Sequence, residues 1–358
     1  MPIDLRTQKL AKILVNYSVA VKPNENVIIA GGTEAQEFIL ALYKEVILVG
    51  GHPILRVSLP ETAPFFYKHA KPHQIINYPE YYEHMLKTSQ KFIGIDTDAN
   101  TRELTNCDPK KLTTRQKIMK PISDLINHSK PGMLRCSVGF PCTALAQDAE
   151  MSLTEYETFV FEACLQNWNK LSKLMKKIIS KFKQNSKVHL LGKGVDLTMR
   201  VHGKKAAMDD GRENMPGGEI FMAPIRESLN GKIKFEYLAI RDGKEVTDIE
   251  LEFKEGKVIN AKASKNEEFL KEMLATDKNS SYVGELGIGC NPKINLFTKN
   301  LLFDEKIGGT IHLALGNAYP ENGGGNDSAI HWDIVKDMHH SKIIVDGKTI
   351  QENGRWKL

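Results

Sequence analysis

Five side chains in the last 140 residues have the chemistry of metal ligands: Glu219, Glu285, His312, His331 and Asp333. Each lies in or beside a segment rich in glycine or proline. These segments are Asn214-Met-Pro-Gly-Gly-Glu219, Gly284-Glu285-Leu-Gly-Ile-Gly-Cys-Asn-Pro292, Gly309-Thr-Ile-His312 and Gly323-Gly-Gly-Asn-Asp-Ser-Ala-Ile-His331-Trp-Asp333. Imidazole nitrogens and carboxylate oxygens suit divalent first-row metals. Two imidazoles and three carboxylates are enough to hold two ions, and two adjacent ions form a hydrolytic device.

Spacing adds to residue type. His331 and Asp333 are two apart, so on an extended segment both point to one side. In Thr310-Ile-His-Leu-Ala-Leu315, Ile311, Leu313 and Leu315 alternate with Thr310, His312 and Ala314. The first set is expected to face a core and the second a cavity or solvent. Glu219 and Glu285 each follow a glycine, which permits close approach of a ligand or another segment. Asp304-Glu305 adds a further carboxylate before His312. Tyr319 follows in Gly316-Asn-Ala-Tyr-Pro320, and a phenol beside a metal can donate a hydrogen bond to a developing oxyanion. Each residue also has an ordinary reading: a polar strand face, a packed histidine, loop glutamates, a charged turn with Lys306, a packed aromatic before a proline. Their order and local contexts weigh more together than any one alone.

The elements that must position these residues fall into two textures. In the first half, helix and strand alternate. Leu10, Ile13, Leu14 and Tyr17 have helical spacing. Val27-Ile-Ile-Ala30, Ile54–Val57, Phe92–Ile95 and Met133–Val138 read as buried strands, with a helix from Glu34 to Val49. This pattern predicts a mainly parallel sheet covered on both faces. Ser152 and Glu155 have capping-box spacing and open what reads as one long lysine-bearing helix ending near Asn185-Ser186. Beyond it, strands separated by Gly203-Lys204, Asn230-Gly231, Asp242-Gly243 and Glu255-Gly256 predict hairpins over 187–263, followed by a helix near Asn266–Ala275. The expectation is an α/β N-terminal domain over residues 1–186, then a β-rich α+β domain over residues 187–358 that carries the metal site.

Bulk properties exclude several classes. The 358 residues carry a net charge of +5, with 26% charged and 41% hydrophobic residues, ordinary for a globular protein. The one basic run, Lys170 to Lys187, is interleaved with Leu171, Leu174, Ile178 and Phe182 at helical spacing and reads as a solvated helix face, so no nucleic-acid partner is expected. Five cysteines without a Cys-x-x-Cys pair fit a reduced, cytoplasmic chain. No leader and no apolar run of spanning length is evident, so no membrane partner is expected either. Val27-Ile-Ile-Ala-Gly-Gly-Thr33 is a strand–glycine–helix unit of the kind that binds nucleotides, but it lacks the full glycine spacing and a Walker lysine. A non-catalytic peptide-binding or metal-storage protein is a second alternative.

On these motifs the chain resembles the metal-dependent aminopeptidases of the thermophilic metalloprotease family M29, of the aminopeptidase T and aminopeptidase S type. Asn-Met-Pro-Gly-Gly-Glu-Ile-Phe at 214–221 is similar to the segment supplying a ligand glutamate, Glu219 here. Gly-Glu-Leu-Gly-Ile-Gly at 284–289 is similar to the one supplying a bridging glutamate, Glu285. The run from Asp304 to Tyr319 resembles the segment with a further carboxylate, a ligand histidine and a catalytic tyrosine, which implies Glu305, His312 and Tyr319. His-Trp-Asp at 331–333 resembles the closing ligand pair. The resemblance implies two divalent ions per subunit (zinc, cobalt, manganese or magnesium), peptide substrates, catalytic roles for Tyr319 and Glu285, and a homodimer.

Overall fold

A computed structural model describes residues 3–127, 133–241 and 243–358. It divides into two compact units. One comprises the chain up to Gln166 together with Gly211–Pro216, and the other comprises Asn167–Asp210 and Gly217–Leu358.

The first unit is built on a parallel sheet of β1 (Asn26–Gly32), β2 (His52–Ser58), β3 (Lys91–Asp96) and β4 (Leu134–Gly139) in the order β2-β1-β3-β4, with Asn214–Met215 added beside β4. Val27, Ile28 and Ile29 of β1 are all fully buried, as expected of a strand covered on both faces. On one face Ile28 and Phe92 pack with Tyr82, Leu86, Ile122 and Met133. The helix Gln36–Leu48 buries Phe38 and Leu42, and Phe38 stacks on Phe140 with ring centroids 4.7 Å apart.

The helix expected to run from Ser152 past the lysines is two helices. Ser152 and Glu155 form the capping box of Leu153–Cys164. The helix then ends at Leu165, and Asn167 accepts from Lys170 N–H to cap a second helix, Trp168–Ile179. An asparagine that satisfies free N–H groups favours a new helix start over continuation. Leu171, Met175 and Ile178 are buried on that helix, which leaves its lysines on the outer face.

The second unit holds two large sheets. One is eight-stranded and contains the hairpins Gln184–Gly192/Val195–His202 and Glu250–Lys254/Lys257–Lys262. The runs read as strands over 232–239 and 246–253 are each interrupted, because Ala239–Arg241 and Lys244–Val246 pair with one another as a separate small hairpin.

The other sheet positions the candidate site. Its five strands are β5 (Ala207–Asp209), β6 (Glu219–Met222), β7 (Val283–Gly289), β8 (Thr310–Gly316) and β9 (His331–Asp337), antiparallel and in the order β9-β8-β7-β6-β5. Every residue of β7 and β8 is buried. The anticipated alternation along β8 therefore separates two buried faces, and of the cavity or solvent expected beside Thr310, His312 and Ala314, solvent is excluded.

Candidate metal centre

Strand register brings the ligand-type residues to one face of this sheet. Glu285 on β7 and Asp333 on β9 both pair with Ala314 on β8, so the three side chains form a row. His312 lies two residues from Ala314 and faces the same way. His331 pairs with Gly316, on the other side of Ala314. On the β6 side, Glu219 pairs with Gly289, and Asp209 of β5 pairs with Glu219. Alanine and glycine thus occupy the row positions between ligands, where larger side chains would fill the space the carboxylates enter.

Distances confirm the convergence. His312 Nε2 lies 3.4 Å from a Glu285 oxygen, 3.8 Å from Glu219 and 4.0 Å from Asp333. His331 Nε2 lies 3.4 Å from the other Asp333 oxygen. Its Nδ1 is 2.9 Å from the Asn317 carbonyl oxygen, so that nitrogen carries the proton and donates. The lone pair is left on Nε2, which is how outer hydrogen bonds prepare a ligand histidine.

Glu305 enters from outside the sheet, on the turn after the short helix Leu301–Asp304. Asp304 turns away, and accepts from the Thr298 N–H and hydroxyl at 2.7 and 2.9 Å. Of the two adjacent carboxylates, Glu305 is therefore the one at the site.

Two groups of potential ligand atoms result, each mutually within 4.8 Å: Glu219, Glu305 and His312, and Glu285, His312 and Asp333. His331 belongs to neither group but touches the second through Asp333. The shared His312 makes the groups adjacent. One imidazole nitrogen has one lone pair and serves one ion, whereas a carboxylate has two oxygens and is suited to bridge. The arrangement is a candidate dinuclear site.

The donor set fits divalent ions. Glu219, Glu285 and Asp333 are at most 9% exposed, and Asp333 Oδ1 and His312 Nδ1 are buried with no hydrogen-bond partner. Buried carboxylates at this density require compensating cations. Burial, then the charge of Glu305, raises the Glu219 pKa, against the pull of Lys306 and His312. Burial likewise raises Asp333, opposed by His331 and His312. For His312, burial favours the neutral form, but the hydrogen bond with Glu285 and the charges of Asp333 and Glu219 outweigh it and raise its pKa to about 10.

Tyr319 lies at the rim, its ring centroid 5.3 Å from that of His331. Its pKa is pushed up to about 12 by burial first, then by Glu285, Asp333, Glu305 and Glu219. It is a phenol, and hence a donor, at neutral pH.

Three contributors were not legible as site residues. Lys306 read as the partner in a charged surface turn, yet it is fully buried, bonds Glu305 and lies 3.4 Å from Glu219. Asp209 is 2% exposed and acts electrostatically on both Glu219 and Lys306. Asn317 orients His331 through its backbone, which no side-chain pattern announces. Direct adjacency of Lys306 to Glu305 was the one available signal.

The whole chain has counterparts. A model of the thermophilic metalloprotease (M29) family matches residues 3–356. Aminopeptidase AmpS of Bacillus subtilis is 25% identical across 99% of this chain and all of its own length. Aminopeptidase T of Thermus thermophilus is 30% identical over 47% of this chain and 48% of its own. The solved structure of wild-type AmpT from Thermus thermophilus superposes with a TM-score of 0.84 over 99% of each chain at 21% identity, a likeness of fold. With the family match running nearly end to end and a candidate dinuclear centre on its β-rich unit, the chain belongs to the thermophilic metalloproteases of family M29.

Proposed function

We propose that this protein is a metalloaminopeptidase that hydrolyses the first peptide bond of a peptide and releases its N-terminal residue. The metal ligands in this reading are Glu219, Glu285, Glu305, His312, His331 and Asp333. The observation that carries it is the pair of ligand groups joined at His312, and relatives named as aminopeptidases support it.

Two divalent ions bound here would supply Lewis acidity and a water ionised near neutral pH. Glu285 stands in the row between Asp333 and the β6 side of the sheet, with its oxygen 3.4 Å from His312 Nε2. From there it would help hold an ion as the bridging glutamate of this reading, and would carry the proton of the attacking water to the departing amine nitrogen. Tyr319 donates to the oxyanion that forms at the scissile carbonyl. His331, held by Asn317, and Asp333 keep the far side of the site rigid. Mixed nitrogen and oxygen donors accept zinc, cobalt, manganese or magnesium, so supply decides among them.

The reading extends to a homodimer in the cytoplasm. Free cysteines at Cys107, Cys136, Cys142, Cys164 and Cys290 suit a reducing compartment. Among the described residues no helix is long and apolar enough to cross a membrane. Exposed Leu55 and Val57 on the edge strand β2, with Leu59 and Phe65 beyond it, offer apolar surface for self-association.

The test is hydrolysis of an aminoacyl anilide before and after metal removal. Chelation should abolish it, and Co²⁺ or Zn²⁺ should restore it. Full turnover after exhaustive chelation with confirmed metal loss ends the proposal. Tight metal binding without any turnover would favour a storage protein instead.

A further inference from the structure

We propose that Lys306 is a built-in counter-cation that makes the two halves of the metal centre unequal. The half around Glu219 and Glu305 then holds its divalent ion far more weakly than the half around Glu285 and Asp333. This rests on the dinuclear reading above and goes beyond it.

The Lys306 side chain is 0% exposed, and its ammonium bonds Glu305 and lies 3.4 Å from Glu219 Oε1. Both carboxylates belong to the same ligand group, Glu219–Glu305–His312. Only His312 is common to the second group, Glu285–His312–Asp333. The ammonium therefore sits on the oxygens of one half.

A fixed positive charge acts on that half in two ways. It occupies oxygen lone pairs that an ion would need, and it repels the ion once seated. Solvent cannot relieve the repulsion, because the ammonium is buried. At roughly 5 Å from an ion in this half and roughly 8 to 9 Å from one in the other, and an effective dielectric of about 20, the difference in repulsion corresponds to an affinity gap on the order of a hundredfold. The lysine also has a reason to be there. Asp209 and Glu219 are cross-strand neighbours, both buried, with Glu305 against them. Three buried acidic groups this close would be costlier to fold without Lys306 before any metal arrives. Lys306 makes the metal-free fold tolerable at the expense of affinity in this half. The prevailing form of the protein then carries one ion, and occupancy of the second half follows the free ion concentration.

The experiment is calorimetric titration of the metal-free protein with Zn²⁺, with bound metal counted by elemental analysis. Wild type should show two steps whose dissociation constants differ by about a hundredfold. Lys306→Met should tighten both steps, the weaker by about tenfold or more beyond the tighter, so that the gap between them narrows. Asp333→Asn should remove the tighter step. Lys306→Arg keeps the charge and should keep the inequality, so it decides the matter together with wild type if the methionine variant does not fold. Two equal steps in wild type, a weaker step unmoved in Lys306→Met, or equal steps in Lys306→Arg would each overturn the inference while leaving the dinuclear centre standing. A wild-type protein that binds no zinc overturns both.

Discussion

Gly287 and His312 are cross-strand partners, and the imidazole occupies the space a side chain at 287 would need. A Cβ on Gly287 would fall 1.9 Å from His312 Nε2 and 2.0 Å from Cε1. The ring lies over the neighbouring strand because that strand has nothing there, and this aims Nε2 at Glu285, Glu219 and Asp333.

Gly287→Ala should therefore act as a site mutation despite removing no ligand. The alanine must push the ring aside, and a displacement of about 1 Å at a reactive centre costs on the order of a hundredfold in rate. The variant should keep its far-ultraviolet circular dichroism and lose metal affinity together with turnover. Wild-type metal binding and activity in Gly287→Ala would show that the ring has room to spare.

Tyr319→Phe should separate chemistry from metal binding. The phenol belongs to neither ligand group, and loss of one oxyanion donor costs about a hundredfold in kcat. Metal content should be unchanged, and KM should move much less than kcat. Unaltered kcat removes Tyr319 from the mechanism.

Metal uptake should release protons. In the metal-free protein the pKa of Glu219 lies above its ordinary 4.5 and that of His312 rises from 6.5 to about 10, so both hold a proton at neutral pH. Ligation needs the unprotonated forms, so apparent affinity should rise with pH from about 6 to 9. The same shifts set the stability of the metal-free chain. The His312 contribution is full below 6.5 and fades as pH rises through about 10. The raised Glu219 pKa adds a penalty that grows as pH rises above 4.5. Melting of the metal-free protein should therefore move to lower temperature between pH 6 and 9. A Tm that climbs across this range, or calorimetric heats independent of the buffer's ionisation enthalpy, would contradict these assignments.

Asp277 should tie the loop leading into β9. It accepts from the Ala329 N–H at 2.7 Å, the Asn279 N–H at 2.8 Å and the Ser328 hydroxyl at 2.9 Å. These bonds, that of Ala329 foremost, hold its pKa down at about 2. Its contribution is present above 3.8 and is lost as pH falls through about 2. Asp277→Asn should cost about 2 kcal/mol at neutral pH. The Tm gap to wild type should close as pH falls below 4 in acid melting curves. A gap that stays constant down to pH 2 would mean the carboxylate charge contributes nothing there.

Much of the site was visible in residue types and periods. His331 and Asp333 could be assigned to one side of a strand because side-chain direction repeats every two residues. The same rule put His312 on the face of Ala314 and apart from Leu313, as the sheet bears out. The parallel sheet of the first unit followed from short apolar strands alternating with helices, and β1 to β4 lie where those runs stand. Where reading stopped short, competition between local solutions was the cause. The long helix became two because Asn167 caps more favourably than it propagates. Two strand runs broke because Ala239–Arg241 and Lys244–Val246 pair with one another as a separate hairpin.

The choice of ligand chemistry, two imidazoles among glutamates and an aspartate beside glycines, belongs to the amino-acid sequence alone, since side-chain functional groups are intrinsic to each residue. Which of them meet was decided only by tertiary structure. Register across β6 to β9 aligned Glu285, Asp333 and His312, and a turn outside the sheet delivered Glu305 while sending Asp304 elsewhere. Lys306 makes the difference plain. Beside Glu305 in the chain it has the pattern of a surface pair, and only the fold, by removing water from around it, turns that pair into a buried charge that the metal site must accommodate.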